Sequence, residues 1–68
     1  MTAYPINIFW SEEDSQWIAV VPDLEGCSAS GDSPEEAARE IQIAMKLWLD
    51  VANENGDPIP QPSAPKAV

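Results

Sequence analysis

Pro22-Asp23-Leu24-Glu25-Gly26-Cys27-Ser28-Ala29-Ser30-Gly31-Asp32-Ser33-Pro34-Glu35-Glu36-Ala37 decides the fold of this chain. Pro22 cannot donate to a sheet ladder, so it closes whatever strand precedes it. Asp23-Leu24-Glu25-Gly26 is turn chemistry, with Gly26 free to take a positive φ. Residues 27–30 read as a short strand with Cys27 and Ala29 inward. Gly31-Asp32 turns the chain again. Ser33 then supplies an N-cap, Pro34 the first helical position, and Glu36 the return contact of a capping box. Glu35 and Glu36 suit the positive end of a helix dipole. This one stretch predicts a loop, a strand, a turn and a helix start.

Upstream, two strands are expected. In residues 4–10, Tyr4, Ile6, Ile8 and Trp10 fall on one face and Pro5, Asn7 and Phe9 on the other, a period of two that reads as strand. Residues 17–21 repeat the pattern, with Trp17, Ala19 and Val21 opposite Ile18 and Val20. The polar connector at 11–16 is short enough for a hairpin, so the pair is antiparallel. Its acids Glu12, Glu13 and Asp14 lack the glycine of a calcium loop and read as a solvated tip. Both faces of the second strand are apolar. One helix covers only one of them, which argues for another layer, such as a second chain.

Downstream, the helix is expected from Pro34 to about Glu54, with Gly56 just past its end. Ala37, Ile41, Ala44, Met45, Trp48 and Ala52 form a stripe at helical spacing that should face the sheet. Trp48 is expected to contribute the largest buried area. Ile43, Leu47 and Val51 form an offset set at i, i+4 and i+8, which is either extra core width or, as favoured here, an oligomer interface or partner contact. Proline-rich residues 57–65 cannot continue a helix. Residues 58–62 are expected to lie extended along the sheet edge with Ile59 pinned down. The end of the chain should fray. The fold class is thus α+β: a three-stranded antiparallel sheet with one long helix on one face. Residues 1–63 form the domain and 64–68 a disordered tail.

Composition narrows the function. A 68-residue chain buries only about 60% of its unfolded surface and is marginal alone. One cysteine and no histidine exclude an internal disulfide and a closed zinc site. Self-association, as a dimer or tetramer, or a partner is the remaining source of stability. No apolar run reaches the ~20 residues of a membrane span, and no signal-peptide pattern opens the sequence, so the expected location is cytoplasmic. The net charge of −9 opposes direct binding to nucleic acid and suits a basic protein partner. Cys27 has no histidine to activate it and reads as a buried, unreactive thiol. No cofactor, metal or catalytic constellation is evident.

The residues then acquire a family likeness. Residues 17–21 run into Val21-Pro22-Asp23-Leu24-Glu25-Gly26-Cys27, followed by Gly31-Asp32-Ser33-Pro34-Glu35-Glu36-Ala37, the helix with Trp48, then Gly56, Ile59-Pro60 and Pro62-Ser63. In this order they resemble the HicB family of antitoxin-like proteins. The resemblance implies a partial, catalytically degenerate RNase H-like fold. It also implies a partner, HicA, a small basic mRNA-cleaving toxin. Many members carry a C-terminal DNA-binding domain as well; this sequence ends at Val68, which leaves no room for one and puts autorepression through DNA outside the expectation.

An RNase H-type site needs carboxylates converging on two metal ions, yet residues 4–10 contain no acid. The chain is therefore expected to be non-catalytic. Two functions follow. In the first, it is a protein-interaction module that neutralises a HicA-like toxin or another basic protein. Glu12, Glu13 and Asp14 at the hairpin tip would contact it, with Asp23, Leu24 and Glu25 in an acidic, leucine-tipped loop. In the second, it is a solitary homo-oligomeric scaffold or regulator with no toxin.

Overall fold

The computed structural model describes residues 4–62. Its elements are β1 (Asn7–Ser11), β2 (Gln16–Val20), β3 (Ser28–Gly31) and α1 (Pro34–Asn55). The strands form one antiparallel sheet in the order β1-β2-β3. This is the expected three-stranded sheet with one long helix. The strand limits shift by one to three residues. Tyr4 lies before β1 rather than in it, because its ring turns into the core instead of continuing a ladder.

The helix caps follow the sequence closely. The Ser33 hydroxyl accepts from the Glu36 N–H at 3.1 Å. The Glu36 carboxylate reaches one residue further back than a capping box requires and accepts from the Asp32 N–H at 2.7 Å. Gly56 adopts φ 74°, and the N–H groups of Gly56 and Asp57 reach the carbonyls of Asn53 and Ala52 at 3.2 and 2.8 Å. This is a Schellman ending, which a side-chain Cβ would disfavour.

Gly31 has a different role from the turn expected of it. It ends β3 and is buried under the first helical turn. A Cβ there would stand 2.7 Å from the Ala37 nitrogen and 2.8 Å from the Glu36 Cβ. Glycine at this position lets α1 start directly against the sheet.

The helix packs chiefly on β3, less on β2 and least on β1. Ala37, Ile41, Met45 and Ala52 are buried on its inner face. They meet Tyr4, Ala19, Val21, Leu24 and Cys27. Trp48 is not among the fully buried side chains. It is half-buried, and its indole N–H donates to the Glu25 carbonyl at 2.8 Å. Leu24, Ile41 and Val21 are the largest fully buried side chains. The helix position leaves Ile8 and Trp10 exposed on β1, on the face that it covers elsewhere.

The proline-rich segment is anchored at a different residue from the one expected. Ile59 is 42% exposed, while the Pro60 carbonyl accepts from the Tyr4 hydroxyl at 2.6 Å. The expected tail at 64–68 lies outside the described residues.

Candidate functional site

The two acidic stretches expected to meet a partner stand at opposite ends of the sheet. β2 runs from the hairpin tip to the Pro22–Gly26 loop, so its five residues separate them by about 17 Å. They cannot form one continuous acidic patch. Glu12, Glu13 and Asp14 are exposed on the hairpin turn, which closes through Ser15 at φ 52°. The turn is internally bonded. Asp14 accepts from the Ser11 hydroxyl at 3.2 Å, and the Asp14 N–H donates back to that hydroxyl at 3.3 Å. Glu12 accepts from the Trp10 indole at 3.1 Å. The chain direction also brings Asp32 and Glu35, at the helix start, to this end of the sheet.

The other loop departs from the expected leucine tip. Leu24 is 1% exposed and belongs to the core, so it is not a contact residue. The loop folds inward because its backbone is internally satisfied. The Leu24 N–H donates to the Val21 carbonyl at 3.0 Å, and the Leu24 carbonyl accepts from the Cys27 N–H at 3.0 Å. That geometry drives the leucine under the helix. Asp23 is half-buried and Glu25 exposed.

What lies beside this loop was not legible as a site. An open groove of about 570 Å³ runs between the loop and the helix. Leu47, Trp48, Val51 and Ala52 line its helix side and Gly26 to Ser28 its strand side, with Asp57 at one end. The structure thus sets the end of this loop, at Gly26, across the groove from Leu47 and Val51. Leu47 is 60% exposed, and Ile43 continues the ridge. By helical spacing Glu40 and Glu54 lie on the same face, seven residues either side of Leu47. Two basic residues lie near the ridge: Arg39, one turn before Ile43, and Lys46, which pairs with Asp50 at 3.4 Å across exposed side chains. The last helical turn has no basic residue, so the negative end of the helix dipole adds to Glu54 and Asp57. The groove is an apolar floor in an acidic surround. Its clue in the sequence was the i, i+4, i+8 spacing of Ile43, Leu47 and Val51, but the pairing with the loop needed the fold.

Cys27 is a buried free thiol at the groove's strand side. Burial pushes its pKa above the ordinary value, which opposes thiolate formation. Among the described residues, no three His, Cys, Asp or Glu side chains are placed to hold a metal ion. No described helix is long and apolar enough to cross a membrane.

This architecture has recognisable relatives. The family model described as the HicB-like antitoxin of bacterial toxin–antitoxin systems matches residues 4–68. UPF0150 protein ssl0259 of Synechocystis is 37% identical over 57 residues, covering 84% of this chain and 77% of that protein. A UPF0150 protein of Helicobacter pylori is 41% identical over 44 residues, covering 65% of this chain and 61% of that protein. UPF0150 protein Ta0767 of Thermoplasma acidophilum is 28% identical over 57 residues, covering 84% and 83%. No solved structure matches the chain. With the match spanning the sheet, the inward-folded loop and the whole helix, the chain belongs to the HicB-like antitoxin family of bacterial toxin–antitoxin systems.

Proposed function

We propose that the chain neutralises a small, basic, mRNA-cleaving toxin of the HicA type by binding it as a protein ligand, without catalysis of its own. Family membership supplies the antitoxin role. The observation that carries the binding mode is the apolar groove with acidic surroundings beside the Glu25 loop. An apolar anchor from the toxin would fill the space between Leu47, Val51 and Gly26. Its basic flanks would face Glu25, Glu54 and Asp57. Buried apolar anchors dominate interface energy, while surrounding charges set encounter rate and selectivity. Glu12, Glu13 and Asp14, at the far end of the sheet, then act in long-range attraction rather than at the anchor.

The scaffold reading assigns Ile43, Leu47 and Val51 to contact between copies. Their exposure supports a contact of some kind. The flanking charges favour a basic partner there. An antiparallel pairing of two helices about Leu47 would set Glu40 against Glu54 of the second copy, twice, and like charges at that spacing repel.

Co-expression with a small basic HicA-type toxin, sought in the neighbouring reading frames, tests the proposal. Growth arrest by that protein alone, relieved by this chain, is the expected result. Relief that persists after Leu47→Glu would exclude the groove as the binding surface.

A further inference from the structure

β1 is an edge strand without the features that usually blunt one. Natural edges carry charges, prolines or bulges that block pairing with another chain. β1 reads Asn-Ile-Phe-Trp-Ser, with no charge, and Pro5 lies outside it. Ile8, Phe9 and Trp10 are 38%, 47% and 43% exposed, so apolar surface is open on both faces of the strand. Among the described residues β1 has a neighbour on one side only.

The hydrogen-bond phase of the sheet fixes which groups that edge offers. The Val21 N–H donates to the Cys27 carbonyl at 3.1 Å, in line with the β2–β3 register. Bonded pairs alternate in an antiparallel ladder. Trp17 and Ala19 therefore direct their backbone toward β3, and Gln16, Ile18 and Val20 direct theirs toward β1. Their partners are Ser11, Phe9 and Asn7. Ile8 and Trp10 are left with N–H and C=O groups pointing outward.

We propose that two copies of this chain pair antiparallel along β1, about a two-fold axis at Phe9, to make one six-stranded sheet. In that register Ile8 of each copy exchanges both backbone hydrogen bonds with Trp10 of the other, giving four bonds. Phe9 faces Phe9 of the second copy as a non-hydrogen-bonded pair, the closer type. Asn7 meets Ser11, so all five residues of the strand find a partner. On the helix-free face, Phe9, Ile18 and Val20 from each copy form one apolar cluster across the axis. The pairing satisfies the edge and widens this apolar face, without adding a layer over it.

Charge selects the occupant. The chain carries −9 overall, so self-association is opposed wherever acids meet. Residues 4–11 contain no charged side chain. The nearest acid, Glu12, lies three positions from the axis. The two Glu12 residues are then about 20 Å apart along the strands, roughly twice the screening length at physiological salt. β1 offers a charged partner nothing to pair with, but it is complementary to itself in hydrogen bonding, apolar pattern and charge. This dimer does not depend on the toxin reading and leaves the groove open.

Disulfide trapping tests the register, in a Cys27→Ala background so that each variant carries one thiol. The Cα separation of a facing non-hydrogen-bonded pair, about 4.5 Å, is within disulfide range. Phe9→Cys should cross-link to a covalent dimer under mild oxidation. Asn7→Cys faces Ser11 instead of itself, and Ser30→Cys lies on the far edge, so neither should. Light scattering of the unmodified chain at about 100 µM should give twice its 7.4 kDa mass. Phe9→Lys should give a monomer with an unchanged circular dichroism spectrum. A monomeric unmodified chain, cross-linking at Asn7 or Ser30 in preference to Phe9, or a folded Phe9→Lys dimer would each overturn the proposal. If the unmodified chain is monomeric and deletion of residues 63–68 produces a dimer, the occupant of the edge is the chain's own end.

Discussion

Tyr4 and Pro60 lie 56 positions apart, and the Tyr4 hydroxyl donates to the Pro60 carbonyl at 2.6 Å. The bond ties the segment before β1 to the segment after α1, so the sheet and helix are closed from both ends. Tyr4→Phe keeps the buried ring and removes only the donor. It should lower unfolding stability by about 1 kcal/mol, read from the urea midpoint. An unchanged midpoint would mean that the tie contributes nothing.

Gly31 and Gly26 should respond to alanine for different reasons. At Gly31 the new Cβ would meet backbone at 2.7 Å, and relief requires the start of α1 to move off the sheet. Such overpacking costs about 1–3 kcal/mol. At Gly26 nothing lies within 4 Å, but φ is 78°. The penalty there is conformational, about 1–2 kcal/mol. Thermal melts of the two variants should both shift down. Only Gly31→Ala should also change the near-ultraviolet spectrum, because only it disturbs packing.

Leu24 and Trp48 are held in the core in different ways. Leu24 is fully buried, so Leu24→Ala should cost about 2–5 kcal/mol, enough to threaten a chain this small. Trp48 is half-buried and bonded to the Glu25 carbonyl. Trp48→Phe should cost about 1 kcal/mol. Equal losses, measured by chemical denaturation, would contradict the inward loop.

Cys27 supplies a pH test. Burial raises its pKa from the ordinary 9.0, so the folded chain holds the thiol proton to higher pH than the unfolded chain does. The associated stability is fully present below the unfolded value and is lost as pH rises through the folded one. From about pH 9 upward the native chain should therefore lose stability faster than Cys27→Ala. A thiol-specific dye at pH 8 should label the native chain slowly and the urea-unfolded chain quickly.

Much of the fold was legible because its signals are local. Ser33, Pro34, Glu36 and Gly56 mark the helix ends through contacts with their own neighbours, and those contacts form as read. The alternation around Ala19 marks β2 in the same way. The misreadings share another cause. Leu24 and Ile59 were placed by type and neighbourhood, but their burial depends on where the helix lies across the sheet. That position is set by Gly31, whose close approach to Ala37 is a contact that no periodicity reveals. The groove was hidden for the same reason: its two walls are some twenty residues apart in sequence and belong to different elements.

The central claim is that the groove beside Glu25 binds a basic toxin through an apolar anchor. Its most direct test is calorimetric titration of a HicA-type toxin, carrying an inactivated catalytic residue, into this chain. Leu47→Glu should weaken binding by about 2 kcal/mol or more, roughly thirtyfold in Kd. The triple variant Glu12→Gln, Glu13→Gln, Asp14→Asn should slow association and flatten the salt dependence, with a smaller effect on Kd. Unchanged affinity in Leu47→Glu, with binding lost in the triple variant, would contradict the account and move the interface to the hairpin end.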